Sequence, residues 1–276
     1  MPWTPQAARR ACISGKILLM TPSQSAGSQD VPQACVEPSG AWGHAPSHLR
    51  LWLVAAIGLV ADLWTKHWAF TSLDPDPDRS WLIIPHVMRF QRSLNTGALF
   101  GLGKGMTPVF IAASVLALGF VLYLFRHSTR DRRSLHVGLG LVLAGALGNL
   151  YDRTFMQADV VRFEAGSGRH TIVGRITAGP DERGLWIGHW PEGGQPRLIP
   201  AAQKPQVRRQ GVVRDFIKME PSIPLGSWRI DIWPWVFNIA DALLVAGVGL
   251  LMLNFWWDRR AEKAFRPPEP PVPASG

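Results

Sequence analysis

Four stretches of the chain are apolar on every side rather than along one stripe. They are 51–70 (LWLVAAIGLVADLWTKHWAF), 107–125 (TPVFIAASVLALGFVLYLF), 135–152 (LHVGLGLVLAGALGNLYD) and 236–257 (VFNIADALLVAGVGLLMLNFWW), of 20, 19, 18 and 22 residues. A helix needs about 20 mainly apolar residues to cross the hydrocarbon core of a bilayer, whereas a helix of a soluble protein carries a single apolar face. The pattern predicts four transmembrane helices. Trp52, Trp64, Trp68, Trp81, Trp233, Trp235, Trp256 and Trp257 fall in or near the ends of these blocks, where aromatic rings collect at membrane interfaces.

Charge then orients the helices. The connection 126–133 (RHSTRDRR) holds four Arg in eight residues, and the stretch 258–266 (DRRAEKAFR) holds three Arg and one Lys. Short basic connections stay in the cytoplasm, so both termini are expected inside and the connections 71–106 and 153–235 outside. The remaining composition excludes several classes. Hydrophobic residues make up 47% of the 276-residue chain and charged residues 18%, which does not suit a disordered polyelectrolyte. Two cysteines, Cys12 and Cys35, build no disulfide scaffold or metal spacing. The net charge of +9 is dispersed rather than gathered on a polar domain, so no nucleic-acid partner is expected.

The chain divides accordingly. Residues 1–46, rich in Pro, Ser, Gln and Gly, read as a disordered extension. Residues 47–257 form the membrane body, interrupted by an outward insertion over 154–211 with nine Gly and five Pro. Within it HTIVGRIT (170–177) and GLWIGHW (184–190) read as short strands across the turn AGPDER. Residues 258–276 form a basic, then Pro-rich, cytoplasmic tail. The expected fold class is an all-α membrane protein with four transmembrane helices, plus a small extracytoplasmic β-rich element.

Ionisable groups at membrane depth are costly and mark function by default. Asp62 and Lys66 are four apart in the first helix and share a face. The third block ends in GALGNLYDR (145–153), where Asn149 and Asp152 are three apart and Asn149 and Arg153 four apart. The fourth opens with FNIAD (237–241), which puts Asp241 about 8 Å inside the block. Asn95 lies in the polar, Gly-rich segment SLNTGALFGLG (93–103) just before the second helix. Although the helices alternate in direction, every one of these motifs falls in the outer third of the membrane, which points to one polar site there.

The chain has no HExxH, no nucleophile elbow and no cysteine near that site. What remains is the carboxylates Asp62, Asp152, Asp215 and Asp241. Two carboxylates brought close share a proton; one can activate water while the other donates to a carbonyl, which is amide hydrolysis without a metal, a cofactor or a covalent intermediate. A different class stays open: a non-catalytic polytopic membrane protein, such as a transporter subunit or pseudo-enzyme. That alternative has no need of Asp215 beside Asp241.

Asp62-x-x-x-Lys66, NTGALFG (95–101), GALGNLYDR (145–153), VVRDFI (212–217) and FNIAD (237–241), in this order and with a four-helix topology, together resemble the lipoprotein signal peptidase family, signal peptidase II. The resemblance covers about 50–153 and 211–257. It implies a monomeric aspartic endopeptidase of the bacterial inner membrane, with its active site facing the periplasm. Its partners would be membrane lipid and prolipoproteins whose lipobox cysteine carries a diacylglyceryl group. It implies Asp215 and Asp241 as the catalytic pair, and Asn95, Asn149, Arg153 and Asn238 as residues that shape and support the site. Asp62, Lys66 and Asp152 would be structural polar partners. Because Asp241 lies near a helix start, whose dipole favours its charged form, Asp215 is expected to hold the shared proton. The chain departs from the family pattern in two places: Arg214 stands where an apolar residue is usual, and the 58-residue insertion separates GNLYDR from VVRDFI.

Overall fold

The computed structural model describes residues 40–97, 107–166, 168–225, 228–231, 233 and 235–264. Most of the N-terminal extension, the segment ALFG of the second motif and the Pro-rich end of the tail lie outside the described residues.

Four helices correspond to the four apolar blocks: α1 (Ala45–Ser72), α2 (Thr107–Arg126), α3 (Arg133–Phe155) and α4 (Ile239–Ala264). All four are long and apolar enough to cross a membrane. In α1 the buried positions Ser47, Leu51, Ala55, Gly58, Asp62, Lys66 and Ala69 recur every three or four residues, while Leu53, Ile57, Val60 and Trp64 are exposed. The helix thus turns one stripe to its neighbours and leaves apolar side chains for lipid. Helix α3 is the central one: 61% of its apolar window is buried, against 22%, 11% and 17% for α1, α2 and α4. Small residues allow this. A side chain on Gly247 of α4 would place its Cβ 2.9 Å from the carbonyl oxygen of Gly138 in α3. Without side chains there the two backbones approach closely, as helices in lipid do when packing rather than water drives association.

The all-α expectation is overturned. Among the described residues the chain forms eleven strands: β1 (Trp81–Ile84), β2 (Met88–Asn95), β3 (Gln157–Ala165), β4 (Gly168–Ala178), β5 (Gly184–Gly188), β6 (Arg197–Pro200), β7 (Gln206–Gly211), β8 (Val213–Met219), β9 (Ser222–Leu225), β10 (Trp228–Asp231) and β11 (Val236–Phe237). They make a four-stranded antiparallel sheet in the order β1-β2-β8-β11, a β9–β10 hairpin and a five-stranded sheet in the order β6-β5-β4-β3-β7. The physical reason is pairing at long range. The connection after α1 supplies β2, whose partner β8 comes only after the insertion, in the register Ser93↔Asp215 and Asn95↔Val213. Neither segment alternates for long enough to announce a strand by itself.

The four-stranded sheet is fixed to the end of α1. Ala69, Phe70 and Leu73 share a core with Phe216 and Ile217 of β8, with Phe90 and Leu94 of β2 packed against it. The insertion is the five-stranded sheet, with its own core of Val161, Phe163, Leu185, Ile187 and Ile199. It docks on the body through Trp190, whose ring meets Phe70 edge-on at 5.9 Å, and through the Arg92–Glu192 ion pair at 3.0 Å.

Candidate active site

The sheet and the helix ends bring the polar motifs to one place. Asp215 sits in β8, between β2 and β11, and is 1% exposed. Because side chains two apart share a sheet face, the register that sets Asp215 beside Ser93 also turns Asn95 towards it. Asn95 Nδ2 donates to Asp215 Oδ2 at 3.0 Å, and Asn95 Oδ1 accepts the main-chain N–H of Gly97 at 2.8 Å. From the other side Asn238 Nδ2 donates to Asp215 Oδ1 at 2.7 Å. Burial lifts the Asp215 carboxyl well above the usual carboxylate range, and the neighbouring Asp241 charge adds to the lift; the amide hydrogen bonds and Lys66 only partly offset it.

Asp241 is placed by the start of α4. The strand β11 ends at Phe237, and Asn238 then caps the helix: its Oδ1 accepts the main-chain N–H of Asp241 at 3.1 Å, and Asp241 Oδ2 accepts the main-chain N–H of Asn238 at 3.3 Å. This reciprocal arrangement is a capping box, which satisfies two amides that no helical turn can reach. It explains the spacing of the FNIAD motif. A third amide, that of Ala240, donates to Asp62 Oδ1 at 2.8 Å. Asn149 of α3 completes the setting, with its Nδ2 donating to Asp241 Oδ1 at 2.8 Å.

Behind the two acids lies a buried charged layer. Lys66 is within 2.8 Å of Asp62 and 3.5 Å of Asp152, and all three side chains are fully enclosed. Lys66 also donates to Asn149 Oδ1 at 3.2 Å, so it fixes which end of that amide faces Asp241. Asn238 Nδ2 reaches the same oxygen at 3.3 Å. Gly148, next to Asn149, leaves room for this layer: a Cβ there would collide with the Asp62 carboxylate. On the near side, Arg153 is buried over the ring of Phe110 at 4.7 Å, and its Nη2 donates to Gly97 O at 2.6 Å. Its Nη1 has no partner among the described residues.

Asp62, Lys66, Asn95, Asn149, Asp152, Arg153, Asp215, Asn238 and Asp241 therefore belong to one connected cluster. Two further residues join it that the sequence does not assign to a site. Phe110 carries no polar signal. Arg214 stands out as a charge inside an apolar strand motif, and its partner is Asp152: Nη2 donates to Oδ1 at 2.7 Å, and the main-chain N–H to Oδ2 at 3.0 Å. Among the described residues no three His, Cys, Asp or Glu side chains are arranged to hold a metal ion.

Comparison with known proteins gives a consistent result. The family model described as signal peptidase (SPase) II matches residues 54–257. A lipoprotein signal peptidase of Shouchella clausii (strain KSM-K16) is 35% identical over 212 residues, covering 77% of this chain and 96% of its own length. One from Rhodopirellula baltica is 30% identical over 205 residues, covering 73% and 69%. One from Desulfitobacterium hafniense (strain DSM 10664 / DCB-2) is 27% identical over 181 residues, covering 66% and 77%.

Proposed function

This chain belongs to the signal peptidase II family, and on that premise we propose that Asp215 and Asp241 are its two catalytic acids. The protein is a membrane-embedded aspartic endopeptidase that removes signal peptides from prolipoproteins. The observation that carries the assignment is Asn238: its side-chain amide holds Asp215 while its main-chain N–H holds Asp241. One residue thus sets the position of both carboxylates. A non-catalytic bundle has no use for a second acid beside the first.

The mechanism follows from the setting. Asp215 is the more deeply buried of the two acids, 1% exposed against 9% for Asp241, and its carboxyl is raised, so we assign the proton of the pair to it. Asp241, at the positive end of α4, takes a proton from water as the water oxygen bonds to the scissile carbonyl carbon. Asp215 gives its proton to the carbonyl oxygen, forming a neutral diol. Proton transfer from Asp241 to the amide nitrogen then breaks the C–N bond, and the diol returns a proton to Asp215 as it becomes a carboxyl group. Arg153, through its bond to Gly97 O, steadies the Asn95–Gly97 turn whose amide holds Asp215. No acyl-enzyme forms, so cleavage in buffer containing hydroxylamine should yield only the free carboxylate; a peptide hydroxamate among the products contradicts this step.

The substrate is a prolipoprotein carrying a diacylglyceryl group. Its lipid and apolar signal helix can enter sideways between helices whose outer faces are themselves apolar. The site faces the periplasmic side of the bacterial inner membrane, with both termini in the cytoplasm; the Arg-rich 126–133 connection supports this sense. In a chain with Cys12 and Cys35 replaced by Ser, an impermeant thiol reagent should label Asp181→Cys and spare Arg130→Cys in intact spheroplasts. The opposite pattern reverses the topology. Every side chain of the cluster comes from one chain, so a monomer suffices.

A further inference from the structure

Arg214 is a charge beside Asp215 inside the otherwise apolar stretch VVRDFI, yet it is only 7% exposed. A buried guanidinium needs a partner for its charge. Its guanidinium and its main-chain N–H converge on the two oxygens of Asp152. Asp152 also faces Lys66, Lys66 pairs with Asp62, and Lys66 holds the Asn149 oxygen whose amide nitrogen donates to Asp241. The buried layer then contains two carboxylates, Asp62 and Asp152, and two cations, Lys66 and Arg214. Without Arg214, one ammonium would answer to two enclosed carboxylates and would be drawn towards Asp152, away from Asn149.

The connection is also mechanical. Arg214 directly precedes Asp215 in β8, so the bond from its main-chain N–H ties the strand that carries one acid to the helix that carries Asn149. The same carboxylate that receives this bond restrains the lysine that orients the amide of the other acid. We propose that Arg214 is a positioning residue for both halves of the dyad: with Asp152 it balances Lys66 and fixes the Lys66–Asn149–Asp241 chain. This rests on the reading of Asp215 and Asp241 as the catalytic pair. Arg214 touches no reacting atom, and its effect is transmitted through Asp152.

The test is steady-state cleavage of a lipidated precursor by the full chain across pH, with thermal unfolding followed in parallel. The charged groups that set the profile are Asp215, Asp241, Asp62, Lys66, Asp152, Arg153 and Arg214. Arg214→Met should lower kcat by about ten- to a hundredfold with little change in KM, because misplacement of a catalytic group costs rate. Its alkaline limb should move to higher pH, since losing a cation favours the protonated dyad. Adding Asp152→Asn removes the surplus carboxylate while keeping an acceptor for the main-chain N–H at position 214; it should recover kcat and return the limb towards its original place. Arg214→Lys should stay nearer to the parent than Arg214→Met does. If Arg214→Met does not fold, Arg214→Lys with and without Asp152→Asn carries the test in the opposite sense: adding Asp152→Asn there leaves a surplus cation, which should lower kcat and move the alkaline limb to lower pH, and no change on adding it overturns the proposal. A parent-like kcat and pH profile in Arg214→Met, or no recovery on adding Asp152→Asn, overturns the proposal. Asp215→Asn and Asp241→Asn in the same assay separate the two ideas: cleavage by either removes the dyad reading itself, while their inactivity beside an unaltered Arg214→Met removes only the role of Arg214.

Discussion

Asp62 of the first helix accepts the main-chain N–H of Ala240, the second residue of the fourth, at 2.8 Å. A carboxylate from one membrane helix thus closes the open end of another, and that end carries Asp241. The same carboxylate pairs with Lys66. Asp62→Ala leaves a buried ammonium with Asp152 alone and an unpaired helix amide. Removing one partner of an enclosed pair costs about 3–5 kcal/mol. The variant should unfold at markedly lower denaturant in detergent and lose most cleavage. Unchanged unfolding would mean that the pair contributes nothing net.

Gly148 gives a sharper steric prediction. Any Cβ there meets the Asp62 carboxylate and approaches the Ala240 side chain at 3.2 Å. Gly148→Ala should therefore displace Asp62 and lower both stability and kcat. A methyl group at Gly249, in α4, would meet no described atom within 4 Å, so Gly249→Ala should be tolerated or gain up to about 1 kcal/mol from helix propensity. Equal responses of the two variants in thermal unfolding would contradict the close approach at Gly148.

The lifted Asp215 carboxyl makes a signed prediction about pH. The folded state binds this proton more tightly than the unfolded chain, whose carboxyl titrates near about 3.9. The contribution to stability is therefore full below that value and is lost as pH rises through the raised folded value. Cleavage needs the proton as well, so its alkaline limb should lie above the ordinary carboxylate range. Asp215→Asn should flatten the fall in melting temperature with rising pH. A melting profile in Asp215→Asn that falls as steeply as the parent's would contradict it.

The insertion should be separable from the body at Trp190. This side chain packs on Phe70 and donates to Gln157 O at 2.9 Å. Trp190→Ala should cost about 2–3 kcal/mol and expose the β3–β7 sheet to limited proteolysis. Glu192→Gln, which breaks a partly exposed ion pair, should cost no more than about 1 kcal/mol. Cleavage of the two variants by the protease at the same rate would show that Trp190 is not the anchor.

Helices and chemistry are far more legible in the sequence than sheets. An all-round apolar run of about twenty residues has few other solutions, so all four helices can be placed, with ends that differ from the apolar blocks by up to seven residues, at Ala264 of α4. The motifs Asp62-x-x-x-Lys66 and FNIAD declare shared helix faces by their spacing. The four-stranded sheet does not declare itself. Its two central strands are separated by two membrane helices and the insertion, and their pairing is visible only when Ser93 lies beside Asp215. Arg214 is legible as an oddity but not as a partner of Asp152, because nothing in spacing links a strand residue to the last turn of α3.

The most direct test of the central claim is the rate of cleavage of a lipidated precursor by purified Asp215→Asn and Asp241→Asn, each shown to be folded by its melting curve. The dyad reading predicts that each loses at least about 10²–10⁴-fold in kcat, the worth of a positioned acid or base, while precursor binding survives. Parent-like turnover by either folded variant would contradict the assignment of these two acids.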